Sequence, residues 1–401
     1  MNKIITNKFK NFTFSLSTNK DFLFFFIAIC FFGLSQSAYD STFNNFLNES
    51  FSITNFQRGF IELPREMPGF LVIFVSALFF FLCPRRLAAL ANLIIASGLI
   101  LIALFSTSFN IMLMWLFIFS IGQHIFLPLN SSIGMELAKD GKTGSILGKL
   151  TGAQNFTAII GSFAIFLGFK YLNLDFKKTF IFGAFGFLVA GFFISLMSKG
   201  KAISVKEKFI LRKKYALFYW LNILYGTRKQ LFITFGPWVL VTVYNQKTIV
   251  IAILLTVGGI IGIFFKPALG KLIDKLGERF ILVSEAVILI FVCLSYGFCK
   301  FLFEYRIALY ITYVCYIIDY LLMSVTMARA TYLKKIAVAP NDVHQTLTMG
   351  VSIDHIFSIS IALISGFLWL KLGFQYVFLL GAIIACINMI SAGFIKIKRI
   401  A

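Results

Sequence analysis

Apolar stretches long enough to cross a bilayer recur from one end of this 401-residue chain to the other. Twelve can be placed, at about 22–46, 55–82, 87–107, 110–137, 149–169, 177–198, 215–244, 248–266, 280–299, 305–333, 347–369 and 375–395. Each is long enough for a helix to span a hydrocarbon layer of roughly 30 Å. Within such a layer every backbone N–H and C=O must be satisfied inside the protein, so only helices or closed β-barrels are available. The runs are continuous and lack the period-two alternation of barrel strands, which excludes a barrel. The expected fold class is all-α: a polytopic membrane protein with 12 transmembrane helices. A composition of 59% hydrophobic and 13% charged residues belongs to the same class.

The net charge of +21 could suggest a nucleic-acid binder. Its distribution points elsewhere, because the cations lie in short segments between apolar runs. Anionic lipid of the bilayer is the simpler partner, and no nucleic acid is expected. Cations concentrate in alternate loops: Lys3, Lys8, Lys10 and Lys20; Arg85 and Arg86; Lys139, Lys142 and Lys149; the stretch from Lys199 to Lys214; Lys266, Lys271, Lys275 and Arg279; Lys334 and Lys335; Lys396, Lys398 and Arg399. The intervening loops carry only Lys170, Lys177, Lys178, Lys247, Lys300, Arg306 and Lys371. This asymmetry predicts that both termini are cytoplasmic in a multi-pass cell membrane protein, with a bacterial cytoplasmic membrane as the expected home. Asp40, Asn44 and Asn45 follow the first apolar run where a cleavage site would have small residues, so a retained first span is expected. The six cysteines lie in or beside apolar runs without a CxxC pair, which argues against a disulfide framework or zinc site.

The polar stretch 199–214 divides the spans six and six, predicting bundles at 1–200 and 201–401. A shift of 198 residues superposes Gly152, Ser162, Ala164, Gly168, Phe169, Leu172, Phe180 and Gly183 on Gly350, Ser360, Ala362, Gly366, Phe367, Leu370, Phe378 and Gly381. That is the pattern of an internal duplication, common in transporters.

The second span is anomalous. Arg58, Glu62, Arg65 and Glu66, with Pro64 and Pro68, precede an apolar run inside one predicted helix. At 100° per residue the charges and Gly69 share a face, and the prolines lie on the other side. Charges within a membrane are costly and normally face a bundle interior or a watery cavity. Two readings are open: a face lining a solute pathway, or a packing seam with Arg58–Glu62 and Glu62–Arg65 pairs at helical spacing. By depth along a helix of about 42 Å, Arg65 and Glu66 are the site candidates and Arg58 and Glu62 belong to an outer gate.

Other spans contribute further polar positions. Span one has a stripe of Gly33, Gln36, Asp40 and Asn44, where Asp40 either pairs with Arg58 or Arg65 or caps the outer end. Span four offers Gln123, His124 and Asn130, with Gln123 and Asn130 on one face; His124 is either a proton carrier or a packed histidine. Arg228 and Lys229 sit mid-way along span seven, where they can hold an anionic group of a substrate or pair with internal carboxylates. Asp319 in span ten ranks first among carboxylates able to load and release a proton, ahead of Asp354 and Glu66; Asp354-His355 in span eleven is a second coupling candidate.

After span eight the chain reads Gly270-Lys271-Leu272-Ile273-Asp274-Lys275-Leu276-Gly277-Glu278-Arg279. This resembles the G-x-x-x-D-[RK]-x-G-x-[RK] loop of the major facilitator superfamily, and the two-half architecture extends the resemblance over essentially the whole chain. The resemblance implies two six-helix bundles and a cytoplasmic latch in which Gly270, Asp274, Gly277 and Arg279 gate the pathway, Asp274 pairing with Arg329. The alternative for this segment is an ordinary basic loop. The equivalent first-half loop, Leu82-Cys83-Pro84-Arg85-Arg86-Leu87, has neither the glycine nor the aspartate.

No phosphate-binding loop, zinc-spaced His/Cys set or nucleophile elbow is present, so neither an enzyme nor a cofactor is expected. The reading is a secondary active transporter that moves a small polar or anionic solute by alternating access. Protons are the expected coupling ion, in symport, and a monomer is the expected form. Efflux of amphipathic compounds is one alternative; a transporter-like membrane sensor or scaffold is another.

Overall fold

Local chemistry sets the helix ends. Ser108 and Asp175 turn their side-chain oxygens onto the backbone N–H groups three residues on and start two helices. Gly277 and Gly373 end two others with φ of +84° and +108°, where an L side chain would be strained. The computed structural model describes residues 20–78, 83–138, 143–200 and 212–396. Lys139, Lys142 and most of the expected linker (201–211) lie outside these residues.

The described helices are α1 (Lys20–Phe51), α2 (Asn55–Phe60), α3 (Glu62–Leu78), α4 (Pro84–Phe105), α5 (Phe109–Glu136), α6 (Thr143–Tyr171), α7 (Phe176–Ser195), α8 (Ala216–Thr242), α9 (Thr248–Leu276), α10 (Glu278–Leu302), α11 (Tyr305–Leu322), α12 (Thr326–Ile336), α13 (Pro340–Leu372) and α14 (Phe374–Gly393). Ten segments, with α11 and α12 counted as one, are long and apolar enough to cross a membrane. The other two expected spans are the charged ones, α2–α3 and α8. The fold is thus the expected all-α, polytopic one.

Three predicted elements change in detail. Span two is interrupted at Ile61, because Pro64 has no N–H to offer the Phe60 carbonyl. Span ten is broken by a short 3-10 turn at Met323–Val325. The predicted loop from Gly270 is helical as far as Leu276, and the turn is Gly277 alone. Continuing a formed helix adds a hydrogen bond per residue, so a single glycine suffices to stop it.

The helices divide into two compact units, Met1–Thr42 with Leu71–Ser204, and Phe43–Phe70 with Val205–Ala401. The first unit packs around aromatic rings of α1, α5 and α7: Phe32 lies 4.7 Å from Phe126 and 5.3 Å from Phe187, and Tyr39 lies 4.6 Å from Phe119. In the second unit Phe232, Tyr296 and Phe378 form a triangle between α8, α10 and α14, with centroids 4.7–5.2 Å apart. Each such pair adds about 0.5–1.5 kcal/mol beyond area burial. The Tyr296 hydroxyl donates to the Gly236 carbonyl at 2.6 Å, so its polar end is satisfied.

Residues 43–70 join the second unit through backbone contact. A Cβ on Gly59 would strike the Ala362 carbonyl, and one on Gly366 would meet Asn55 and Phe56. Side-chain bonds add to this crossing: Trp238 Nε1 donates to Asn55 Oδ1 at 2.8 Å, and Asn45 Nδ2 donates to the Gln246 carbonyl at 2.9 Å.

Candidate functional site

Three consecutive side chains in the middle of α8 reach three different helices. Arg228 pairs with Asp319 of α11. Lys229 Nζ lies 2.9 Å from Asp354 Oδ2 of α13. Gln230 Nε2 donates at 3.0 Å to Glu62 Oε2 of α3, and also to Thr234 Oγ1 one turn on. Successive residues of a helix point about 100° apart, so a helix at the centre of a bundle can serve three neighbours from one turn. Gly226 makes the second of these contacts possible, because a Cβ there would collide with the Asp354 carboxylate.

The charged face of α2 and α3 continues the network. Arg58 Nη1 lies 2.7 Å from Glu62 Oε1, and Arg58 Nε donates to Asn44 Oδ1 at 3.0 Å. Arg65 Nε approaches the other Glu62 oxygen at 2.8 Å, and its Nη2 lies 3.1 Å from Glu66 Oε1. Glu66 Oε2 is then 2.8 Å from His355 Nδ1 on α13. The ion pairs of the packing-seam reading are therefore made, and they run on into α8 and α13. Arg58, Arg65, Arg228 and Lys229 are matched by Glu62, Glu66, Asp319 and Asp354, so the network is neutral when His355 is neutral. Burying a charge is tolerable only with such pairing.

Exposure separates the pairs. The side chains of Arg58, Glu62, Arg228 and Asp319 are at most 3% exposed. Lys229 and Asp354 retain 24% and 12%, and Glu66 and His355 13% each. Asp354 Oδ1 and Arg228 Nη2 are buried without a hydrogen-bond partner among the described residues.

The first unit is built differently. Gln123 Nε2 donates to Gln36 Oε1 at 2.5 Å, and Gln36 Nε2 donates to Asp40 Oδ1 at 3.0 Å, linking α5 to α1 through amides. Asn130 shares the helix with Gln123 but makes no side-chain hydrogen bond among the described residues. His124 Nδ1 lies 3.0 Å from both Oγ and the carbonyl oxygen of Ser120, as a packed histidine would. Charges concentrate at helix ends. Arg85 contacts Asp21 at 2.5 Å, Glu136 at 3.0 Å and the Ser198 hydroxyl at 2.9 Å, while Arg86 bonds the Ser195 carbonyl near the end of α7.

The expected Asp274–Arg329 pair is not made. Asp274 and Arg279 are exposed, whereas Arg329 is buried with its Nη1 3.2 Å from Glu285 Oε2 and its guanidinium 3.6 Å from the Tyr225 ring centre. A buried guanidinium needs a carboxylate that is buried with it, and Asp274 lies outside.

Gln230, Glu285 and Tyr225 are parts of these clusters that the spacing arguments did not single out. For Gln230 and Glu285 a signal was available: polar or ionisable residues within apolar runs default to functional candidates. For Tyr225 only the packing reveals the role.

Comparison with known proteins places the chain. The Major Facilitator Superfamily sequence model matches residues 25–348, and the chain belongs to that family. No curated protein matches it in sequence. Among solved structures it is similar to a mutant form of the nucleoside transporter NupG, at 15% identity and a TM-score of 0.74, over 93% of this chain and 98% of that one. A D-xylose-proton symporter matches at 12% identity and a TM-score of 0.72, covering 94% and 97%. The inward-open xylose transporter XylE from E. coli matches at 15% identity and 0.69, covering 94% and 96%. At these identities the likeness is one of fold. By family and fold the chain is a multi-pass membrane protein of the secondary-transporter class.

Proposed function

We propose that this chain carries a small polar or anionic solute across the cytoplasmic membrane of a bacterium, in symport with protons, by alternating access between two six-helix bundles. Both termini face the cytoplasm, and one copy is the working unit. The observation that carries this reading is the neutral ion-pair network on α3, α8, α11 and α13. Each of its cations is held by a carboxylate. A proton that neutralises one carboxylate leaves its cation short of a partner, and a polar or anionic solute can supply one. Loading of proton and solute are then mutually favourable, which is what coupling requires.

In this reading Arg65, Glu66, Arg228 and Lys229, with Gln36, Asp40, Gln123 and Asn130, provide the solute contacts. Asp319, Asp354 and His355 are the proton-carrying groups. Arg58 with Glu62, and Gly270, Asp274, Gly277, Arg279 and Arg329, belong to gates. The similarity in fold to a nucleoside transporter and to a D-xylose-proton symporter lends support to a polar cargo. Purified protein in liposomes, given an inward proton gradient, tests it. Accumulation of a polar or anionic solute that collapses with the gradient is expected. Transport of such a solute with complete insensitivity to the gradient would remove the proton, and movement of amphipathic dyes alone would remove the polar cargo.

A further inference from the structure

We infer that Lys229 and Asp354 are the pair that opens during transport, and that the cargo is a monoanion carried together with one proton. The inference rests on the transporter reading above and assigns its chemistry to two side chains.

The exposure of the pairs carries the first step. Arg228–Asp319, Arg58–Glu62 and Arg329–Glu285 are enclosed to within 3% on both partners, so in this conformation they are shut off from a solute. Lys229 keeps 24% of its side chain free and Asp354 keeps 12%. This pair also has spare capacity. Only Oδ2 of Asp354 meets Lys229, whereas Oδ1 is buried with no hydrogen-bond partner among the described residues, against the bare backbone of Gly226. An unpartnered carboxylate oxygen in such a place is a ready position for a proton.

Charge arithmetic carries the second step. Opening a shielded ion pair is tolerable only if both partners are compensated. A neutral solute compensates neither. An anion alone answers Lys229 and strands the Asp354 carboxylate. A proton alone answers Asp354 and strands the ammonium. One proton taken from solvent onto Asp354, with one monoanion bound to Lys229, answers both, and Lys229 keeps its own proton throughout. The cargo is then electrically neutral: one positive and one negative charge cross together. A zwitterion can also compensate both groups, and the experiment below separates it from the proton-and-anion solution.

The charged neighbours favour this assignment. Around the pair stand Tyr225 on α8, whose ring lies 5.7 Å from Lys229 Nζ, and Glu66 with Arg65 on α3. His355, next to Asp354 on α13, is occupied by Glu66. Glu66 is thus engaged by both Arg65 and His355 and is less available as a proton acceptor than Asp354.

The experiment uses the full chain in proteoliposomes and three labelled probes: lactate as monoanion, alanine as zwitterion and xylose as neutral solute. Lactate uptake driven by an acid-outside gradient is expected, and a potassium diffusion potential of either sign is expected to leave it unchanged. Asp354→Asn should abolish gradient-driven accumulation while lactate exchange across the liposome persists. Lys229→Met should raise KM for lactate by about tenfold or more, the loss of one charge-assisted contact. Because either single change leaves a charge unpaired, the double variant Lys229→Met/Asp354→Asn is the folding control. It should melt nearer the wild type than either single variant and bind no lactate. Uptake driven by the membrane potential, accumulation by Asp354→Asn, or movement of alanine or xylose without lactate would overturn the inference and leave the transporter reading standing. If the wild type moves none of the three, the transporter reading falls for this cargo range and the inference falls with it.

Discussion

The two units spend their polar residues in opposite ways. In the first unit the mid-helix contacts are amides, Gln123 to Gln36 to Asp40, and the charges gather at helix ends around Arg85. In the second unit the charges lie within the expected spans, and all five cation–carboxylate pairs of the network touch α3 or α8 within about one turn of Glu62 or Gln230. The units also differ in which of two paired helices carries the cation. Arg85 at the start of α4 meets Glu136 at the end of α5, whereas Glu285 near the start of α10 meets Arg329 of α12. Either polarity ties neighbouring helices, so a strut constrains only the product of the charges. Amides hold a fixed set of donors and acceptors at all pH values, but carboxylates change theirs when protonated. The contrast teaches that one unit of a chain can be tied within its helices through amides while the other is tied through buried ion pairs.

The largest test of this contrast is the Arg228–Asp319 pair. Arg228→Met should lower stability by about 3–5 kcal/mol, because it leaves a buried carboxylate unpaired. The double variant Arg228→Met/Asp319→Leu should regain most of that loss in detergent melting. If the single variant melts like the wild type, the second unit is not held by its charges.

Smaller effects are expected from two glycines that a shift of 198 residues aligns. On Gly366 a Cβ would meet backbone atoms of Asn55 and Phe56 at 3.0–3.2 Å. On Gly168 it would meet a Leu174 methyl at 2.7 Å, the far end of a side chain that can rotate, and the Leu174 Cβ at 3.2 Å. Gly366→Ala should therefore cost about 1–3 kcal/mol by overpacking, and Gly168→Ala clearly less. Equal melting shifts would mean that residues 55–60 can move away from α13 freely.

The amide frame should be worth less again. Gln36→Leu removes two side-chain bonds, each about 0.6 kcal/mol between membrane helices, and its effect should not depend on pH. A pH-dependent melting shift in this variant would bring Asp40 into the titrating set.

The smallest expected change is at Asp175, which caps α7. The backbone N–H of Lys178 is the main reason its carboxyl titrates below the ordinary carboxylate range. Its contribution is accordingly complete above that range and fades as pH falls through it. Asp175→Ala should cost about 1 kcal/mol at neutral pH, and the difference from wild type should shrink near pH 3. A penalty independent of pH would mean that the charge has no part in the cap.

Much of this molecule was legible in the residues. Apolar length alone identified the transmembrane class, because a bilayer admits so few backbone solutions. Helical spacing anticipated the Arg58–Glu62–Arg65 ladder, since partners three and four residues apart on one helix must meet. The position of Arg228 and Lys229 within an apolar run already implied carboxylate partners or an anion. Sequence could not say which carboxylate each would take. Arg329 chose Glu285 over Asp274, and Arg228 and Lys229, adjacent in the chain, chose helices from different parts of the second half. Nor could it announce that Gln230 would reach Glu62, 168 residues away.

The division between the two sources of information follows from range. Sequence by itself determined what depends on neighbours along the chain: the apolar spans and the charged face of the second span. Tertiary structure decided what depends on which helices touch. It fixed the partners of each mid-membrane charge and the difference in exposure between the enclosed Arg228–Asp319 pair and the accessible Lys229–Asp354 pair. A buried charge takes the carboxylate that packing brings within about 3–4 Å, and no periodicity along one helix encodes that distance.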